Sequence, residues 1–121
     1  MTSVLLMVAM LLQQPSPARW IIMDHGTEGS SAVDTESVLV EGNRRTFWIR
    51  QTHARPRGRV VQTTLRNELD CRGHTITLLA YLDTDRNGNL HASGWIDPDR
   101  RQARPIVPGT MAEDIRAALC P

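Results

Sequence analysis

Arginine supplies the largest group of residues able to do chemistry in this 121-residue chain. All 14 basic residues are Arg and none is Lys, and Arg44, Arg45, Arg50, Arg55, Arg57, Arg59 and Arg66 cluster around Trp48. A guanidinium is planar and holds carboxylate, sulfate or phosphate through two parallel N–H donors, a geometry an ammonium cannot offer. If residues 44–50 form a strand, alternation puts Arg44, Thr46, Trp48 and Arg50 on one face and Arg45, Phe47 and Ile49 on the other. Arg44, Trp48 and Arg50 are therefore the candidate ligand-binding residues, because Arg and Trp dominate the energetics of binding surfaces. Two bland readings stand beside this one. The row can be a solvated sheet face with Trp48 half-buried, and the Arg excess can reflect codon usage in a GC-rich genome.

Oxygen ligands form the second group. Asp83-x-Asp85-x-Asn87-Gly88 resembles the first half of a calcium loop, in which alternate oxygens surround the ion and Gly makes the sharp turn. The loop needs a bidentate Glu at its twelfth position, and that position is Gly94. Asn87-Gly88 serves a hairpin turn equally well. The four histidines, His25, His53, His74 and His91, have no spacing that brings two onto one metal. No Gly-x-Ser-x-Gly elbow and no Gly-rich phosphate loop occurs. The sequence accordingly predicts no catalytic residue, no metal site and no cofactor, and so a protein that is not an enzyme. A formal net charge of +1 gives no general attraction to nucleic acid or to anionic membranes, so no nucleic-acid partner is expected.

Cys71 and Cys120 are the third group, and their chemistry depends on the compartment. Val4–Leu12 is an unbroken apolar run, followed by Gln13, Gln14 and Pro15-Ser16-Pro17-Ala18. The run is too short to span about 30 Å of hydrocarbon. It matches the apolar core of a signal peptide, and Ser16-x-Ala18 supplies the small residues of a cleavage site. A signal peptide over residues 1–18 is expected, although Met1-Thr2-Ser3 lacks the usual Arg or Lys; a buried first element is the alternative. The mature chain is then exported and is not an integral membrane protein. In an oxidising compartment Cys71 and Cys120 are expected to form a disulfide.

The elements that would position these groups are mostly strands. Arg19–Asp24 is a short apolar strand, Gly26–Ser31 a flexible loop, and Val38–Val40 and Thr46–Ile49 a hairpin about Gly42-Asn43. His53–Gly58 carries Pro56 and Gly58 and reads as an exposed loop. Val60–Leu69 and Thr75–Leu82 are strands separated by a turn at Asp70–Gly73. Asp83–Asn89 turns the chain into a further strand at Leu90–Ile96. A polar turn at Asp97–Arg101 and an extended Pro105–Pro108 follow. The period then changes. Thr110 and Glu113 form a capping-box pattern, and Met111, Ile115, Ala118 and Leu119 make one apolar stripe of a helix. About six antiparallel strands followed by one C-terminal helix give an α+β domain over residues 19–121, with the helix on one sheet face.

The strand at Trp20, the hairpin ending in Phe47-Trp48-Ile49, Asp70-Cys71, and Ile106-Val107-Pro108-Gly109-Thr110 leading to a helix with Cys120 near its end together resemble the surface-adhesin protein E-like family. The resemblance covers nearly all of the mature chain. It implies a bacterial envelope domain whose C-terminal helix is joined to an antiparallel sheet by the disulfide. It also implies binding of host matrix and serum proteins and the capacity to form a homodimer; another envelope protein is the alternative partner. The chain lacks a lipobox cysteine, so no lipid anchor is expected. Two functions follow as expectations: an adhesin-like envelope module that binds protein or anionic ligands, or a soluble periplasmic structural or assembly protein that binds another envelope protein. Periplasm and cell surface are both open as locations.

Overall fold

Short runs rich in β-branched and aromatic residues fold here as successive antiparallel hairpins, closed by one helix. The computed structural model describes residues 20–121; the signal peptide expected over 1–18 lies outside the described residues. The strands are β1 (Trp20–Gly26), β2 (Gly29–Asp34), β3 (Leu39–Glu41), β4 (Arg44–Arg57), β5 (Val60–Asp70), β6 (Thr75–Thr84), β7 (Leu90–Trp95) and β8 (Arg104–Pro105). They form one sheet in the order β1-β2-β4-β5-β6-β7, with every pairing antiparallel. The short β3 lies along β4 in line with β2, and β8 lies along β6 in line with β7. The one α-helix among the described residues, α1 (Met111–Leu119), packs on one face. The expected α+β architecture is the one observed.

Alternation decides which face the helix covers. Val33, Phe47, Ile49 and Leu69 point to the same side and meet Ile106 and Ile115 in the core. Phe47, Leu69 and Ile115 are fully enclosed, each contributing on the order of 1.5–3 kcal/mol by burial. Met111, Ala112 and Leu119 complete the helix contact. Ala118, expected in the apolar stripe, is exposed, and Ala112, on the opposite edge of the stripe, packs against the core. Cys71, in the turn after β5, is bonded to Cys120 at the end of α1, with Cα atoms 5.7 Å apart and a sequence separation of 49.

Three local expectations are corrected. Gly26–Ser31 is not a flexible loop: the turn is confined to Thr27-Glu28, and Gly29 already begins β2. Ser30 and Ser31 have little β-propensity, but pairing with β1 on one side and β4 on the other holds them extended. Gly29, at φ 134°, is needed there because a Cβ would overlap the Thr52 carbonyl. His53–Gly58 is likewise no loop, since β4 runs through Pro56 to Arg57 and turns at Gly58-Arg59. The pairing with β5 is irregular between Thr52 and Arg57, which leaves room for a residue without an N–H. Finally, Thr110 occupies the N-cap position, but no capping box forms. Its hydroxyl donates back to the Val107 carbonyl at 2.6 Å, and the Glu113 carboxylate accepts from Arg116 at 2.6 and 3.0 Å.

Candidate functional site: the helix-free face of the sheet

The face opposite α1 gathers all three tryptophans of the chain. Cross-strand register builds one row from Trp95 on β7 through Ala80 on β6 and Arg66 on β5 to Trp48 on β4. A second row runs from Leu82 through Thr64 and Arg50 to Ala32 and Ile22. Trp20 stands beside it, paired with Asp34. The small residues Ala32 and Ala80 are buried beneath larger neighbours, whereas Trp95 is 69% exposed and Ile22 is 66% exposed. The face thus presents exposed apolar side chains beside charged ones.

Arginine and tryptophan are interleaved by direct stacking. The Arg50 guanidinium lies 4.4 Å from the centre of the Trp20 ring, and that of Arg66 lies 5.1 Å from the centre of the Trp48 ring. The negative ring face attracts the cation, and a guanidinium held over a ring can still offer N–H donors to a partner. Of the expected residues, Trp48 and Arg50 lie in the middle of this surface. Arg44 shares the face but lies toward one end, where it pairs with Glu68 at 2.8 Å. Trp20 and Trp95 were not singled out from the sequence as binding residues, and Arg66 was named only as a member of the arginine cluster. They belong to three other strands, and only the register of the whole sheet brings them beside Trp48.

The remaining arginines of the cluster divide. Arg45 is buried on the helix side, where Nε donates to the Leu119 carbonyl at 3.0 Å and a terminal nitrogen donates to the Gly42 and Arg44 carbonyls at 2.7 and 3.0 Å. Arg55, Arg57 and Arg59 are exposed on and beside the β4–β5 turn, with Arg59 and Arg86 lining one shallow cleft there. They lie away from the tryptophans.

The oxygen-rich turn is occupied by its own backbone. One oxygen of Asp85 accepts from the Asn87 and Asn89 N–H groups, each at 2.9 Å. Asp83 accepts the Thr63 hydroxyl proton at 2.7 Å, and His53 Nε2 lies 2.9 Å from the same hydroxyl oxygen. With the Thr63 proton directed to Asp83, His53 is the donor in that contact. The three side chains form one hydrogen-bonded chain across β4, β5 and β6. No cluster of three or more His, Cys, Asp or Glu suited to a metal ion occurs among the described residues.

Comparison with solved structures returns the same fold. Crystal form II of Haemophilus influenzae protein E matches with a TM-score of 0.61 at 13% identity, covering 88% of this chain and 93% of that one. The selenomethionine form of the same protein matches with a TM-score of 0.61 at 14% identity, covering 88% and 90%. At such identities the likeness carries the fold alone. No curated protein sequence matches the chain. No helix among the described residues is long and apolar enough to cross a membrane. The sequence model described as surface-adhesin protein E matches residues 20–121, the whole of the sheet and helix, and this chain therefore belongs to the surface-adhesin protein E family.

Proposed function

We infer that this is a non-enzymatic, adhesin-like module of the bacterial envelope that binds a protein partner through the helix-free face. One observation carries the reading: three tryptophans share that face, two of them under arginine, with Trp95 69% exposed. Trp and Arg are the residues that most often supply the large terms in protein–protein binding. Stacking also fixes each guanidinium before the partner arrives, which lowers the ordering cost of association. Trp48 and Arg50 are the centre of the proposed contact, with Arg44 at its margin. Carboxylates on the partner are the natural complement, so the anionic and the protein ligands expected from the sequence converge on one acidic protein surface.

The test uses the oxidised mature domain, immobilised and probed with host matrix proteins and with envelope extract in parallel. Trp48→Ala and Trp95→Ala should each weaken capture at least tenfold, and Arg44→Ala should change it by less than threefold. Circular dichroism checks that the variants remain folded. Unchanged capture by both tryptophan variants would remove this face from the function. Binding only to envelope extract, by protein confined to the periplasmic fraction, would replace the adhesin reading with that of a periplasmic assembly module. Light scattering of the free domain reads out the third occupant, a second copy of this chain.

A further inference from the structure

A second site lies on the other side of the sheet, beyond the edge of α1. The segment joining β7 to β8 passes over the inner face of β5 and β6 and lines with it an open cleft of about 360 Å³. Leu65, Ile76, Leu78 and Ile96 supply apolar wall. Asn67 also lines it. That residue is 6% exposed, and its side-chain amide nitrogen is buried without a hydrogen-bond partner among the described residues. An amide donor left unmet in this way is costly, so buried polar groups nearly always have a partner. Arg100 and Arg104 stand at the rim, exposed, and neither makes an ion pair among the described residues.

These groups are those of a small-molecule site: largely apolar walls, one unmet donor, and cationic groups at the mouth, in a volume within the ~300–1,000 Å³ of ligand pockets. We propose that the cleft binds a small apolar organic acid bearing a second carbonyl oxygen. The alkyl body lies along Leu65, Ile76 and Leu78, the buried Asn67 amide turns toward the cleft to donate its proton to the carbonyl oxygen, and the carboxylate is held at the mouth by Arg100 and Arg104. A carboxylate fits the planar donor fork of arginine, and a neutral ligand leaves both guanidinium groups unused. The site is independent of the tryptophan face, so both can be occupied at once.

N-Acetylleucine carries all three features and is the probe; N-acetylleucinamide, which has no carboxylate, is its neutral counterpart. Titration of the oxidised domain, followed by calorimetry and by amide chemical shifts, should show saturable binding of the acid. The neutral compound should bind at least tenfold more weakly, with shifts confined to residues around 65–67, 76–78 and 96–104. Asn67→Leu keeps the side-chain volume and removes the unmet donor, so the variant should fold at least as well as the parent while losing about tenfold in affinity. Arg100→Ala with Arg104→Ala, both on the surface, should remove the preference for the acid. No saturable binding of the acid, or equal affinity in the parent and in both variants, overturns the proposal. A more stable Asn67→Leu protein whose parent does not respond to the acid identifies Asn67 as a packing defect, and equally overturns it.

Discussion

Arg44 and Arg45 are adjacent in sequence and do unrelated work. Arg44 is 60% exposed and pairs with Glu68, which is 27% exposed, so the contact contributes at most about 1 kcal/mol. Arg45 is enclosed and donates to three carbonyls, including that of Leu119 at the C-terminal end of α1, where carbonyls lack intrahelical partners and the helix dipole is negative. Hydrogen bonds from a charged donor contribute roughly 1.5–3 kcal/mol. Arg45→Met should therefore lower the melting temperature by about 8 °C, taking ~2 kcal/mol at ~4 °C per kcal/mol. Arg44→Met should stay within about 3 °C of the parent, and calorimetry on both variants decides; similar shifts would mean the buried guanidinium is not a helix cap. The alternation of residues 44–50 was legible in the sequence, and so was the sidedness of these two arginines. Their roles were not, because each depends on what stands opposite: Glu68 is 24 residues away, and Leu119 is 74.

Helix α1 spans nine residues, too short to hold its shape alone in water. Its position was legible from Thr110 and the change of period, while its N-terminal bonding was not, since the Val107 carbonyl and Arg116 compete for the same side chains. The tie from Cys71 to Cys120 keeps the helix against the sheet and limits the expansion of the unfolded chain, for roughly 2–5 kcal/mol. Cys120→Ser should lower the melting temperature by about 8 °C or more. Intact mass of the parent should be two hydrogens below the reduced formula, and two alkylatable thiols in exported protein would refute the staple. A smaller effect follows from Glu113. The hydrogen bond from Arg116, helped by the charges of Arg116 and His74, holds its carboxyl below the ordinary value of 4.5 against the opposing influence of burial. A carboxyl lowered on folding stabilises the fold above its unfolded value and loses that contribution as pH falls through the folded one. The stability advantage of the parent over Glu113→Gln should therefore be present at neutral pH and be lost in acid as pH falls through the lowered folded value. A difference that persists unchanged into acid would assign it to packing.

At the scale of the molecule, the sheet separates two kinds of surface: one buried under α1 and the β7–β8 segment, the other open and carrying the tryptophans. The fold class and the helix were legible because period-2 and period-3.6 patterns are local properties of sequence. The open face was only partly so. Trp48 and Arg50 share one strand and could be placed together, whereas Trp20 and Trp95 reach them through pairings between distant segments. Export is the remaining molecular expectation. Residues 1–25 fused to a periplasmic reporter should carry it across the inner membrane with cleavage near Ala18, and an uncleaved cytoplasmic reporter would count against a signal peptide in this chain. The order of strands has a kinetic consequence. From β4 to β7 every strand lies beside the one that precedes it in sequence, so each hairpin can close as soon as its second strand is available. The Cys71 thiol, by contrast, must remain unreacted until 49 further residues have arrived. The sequence holds two cysteines only, so a single chain has one pairing open to it and nothing to reshuffle. Errors of oxidation require a second molecule, and their yield should rise with protein concentration while the rate of correct closure does not.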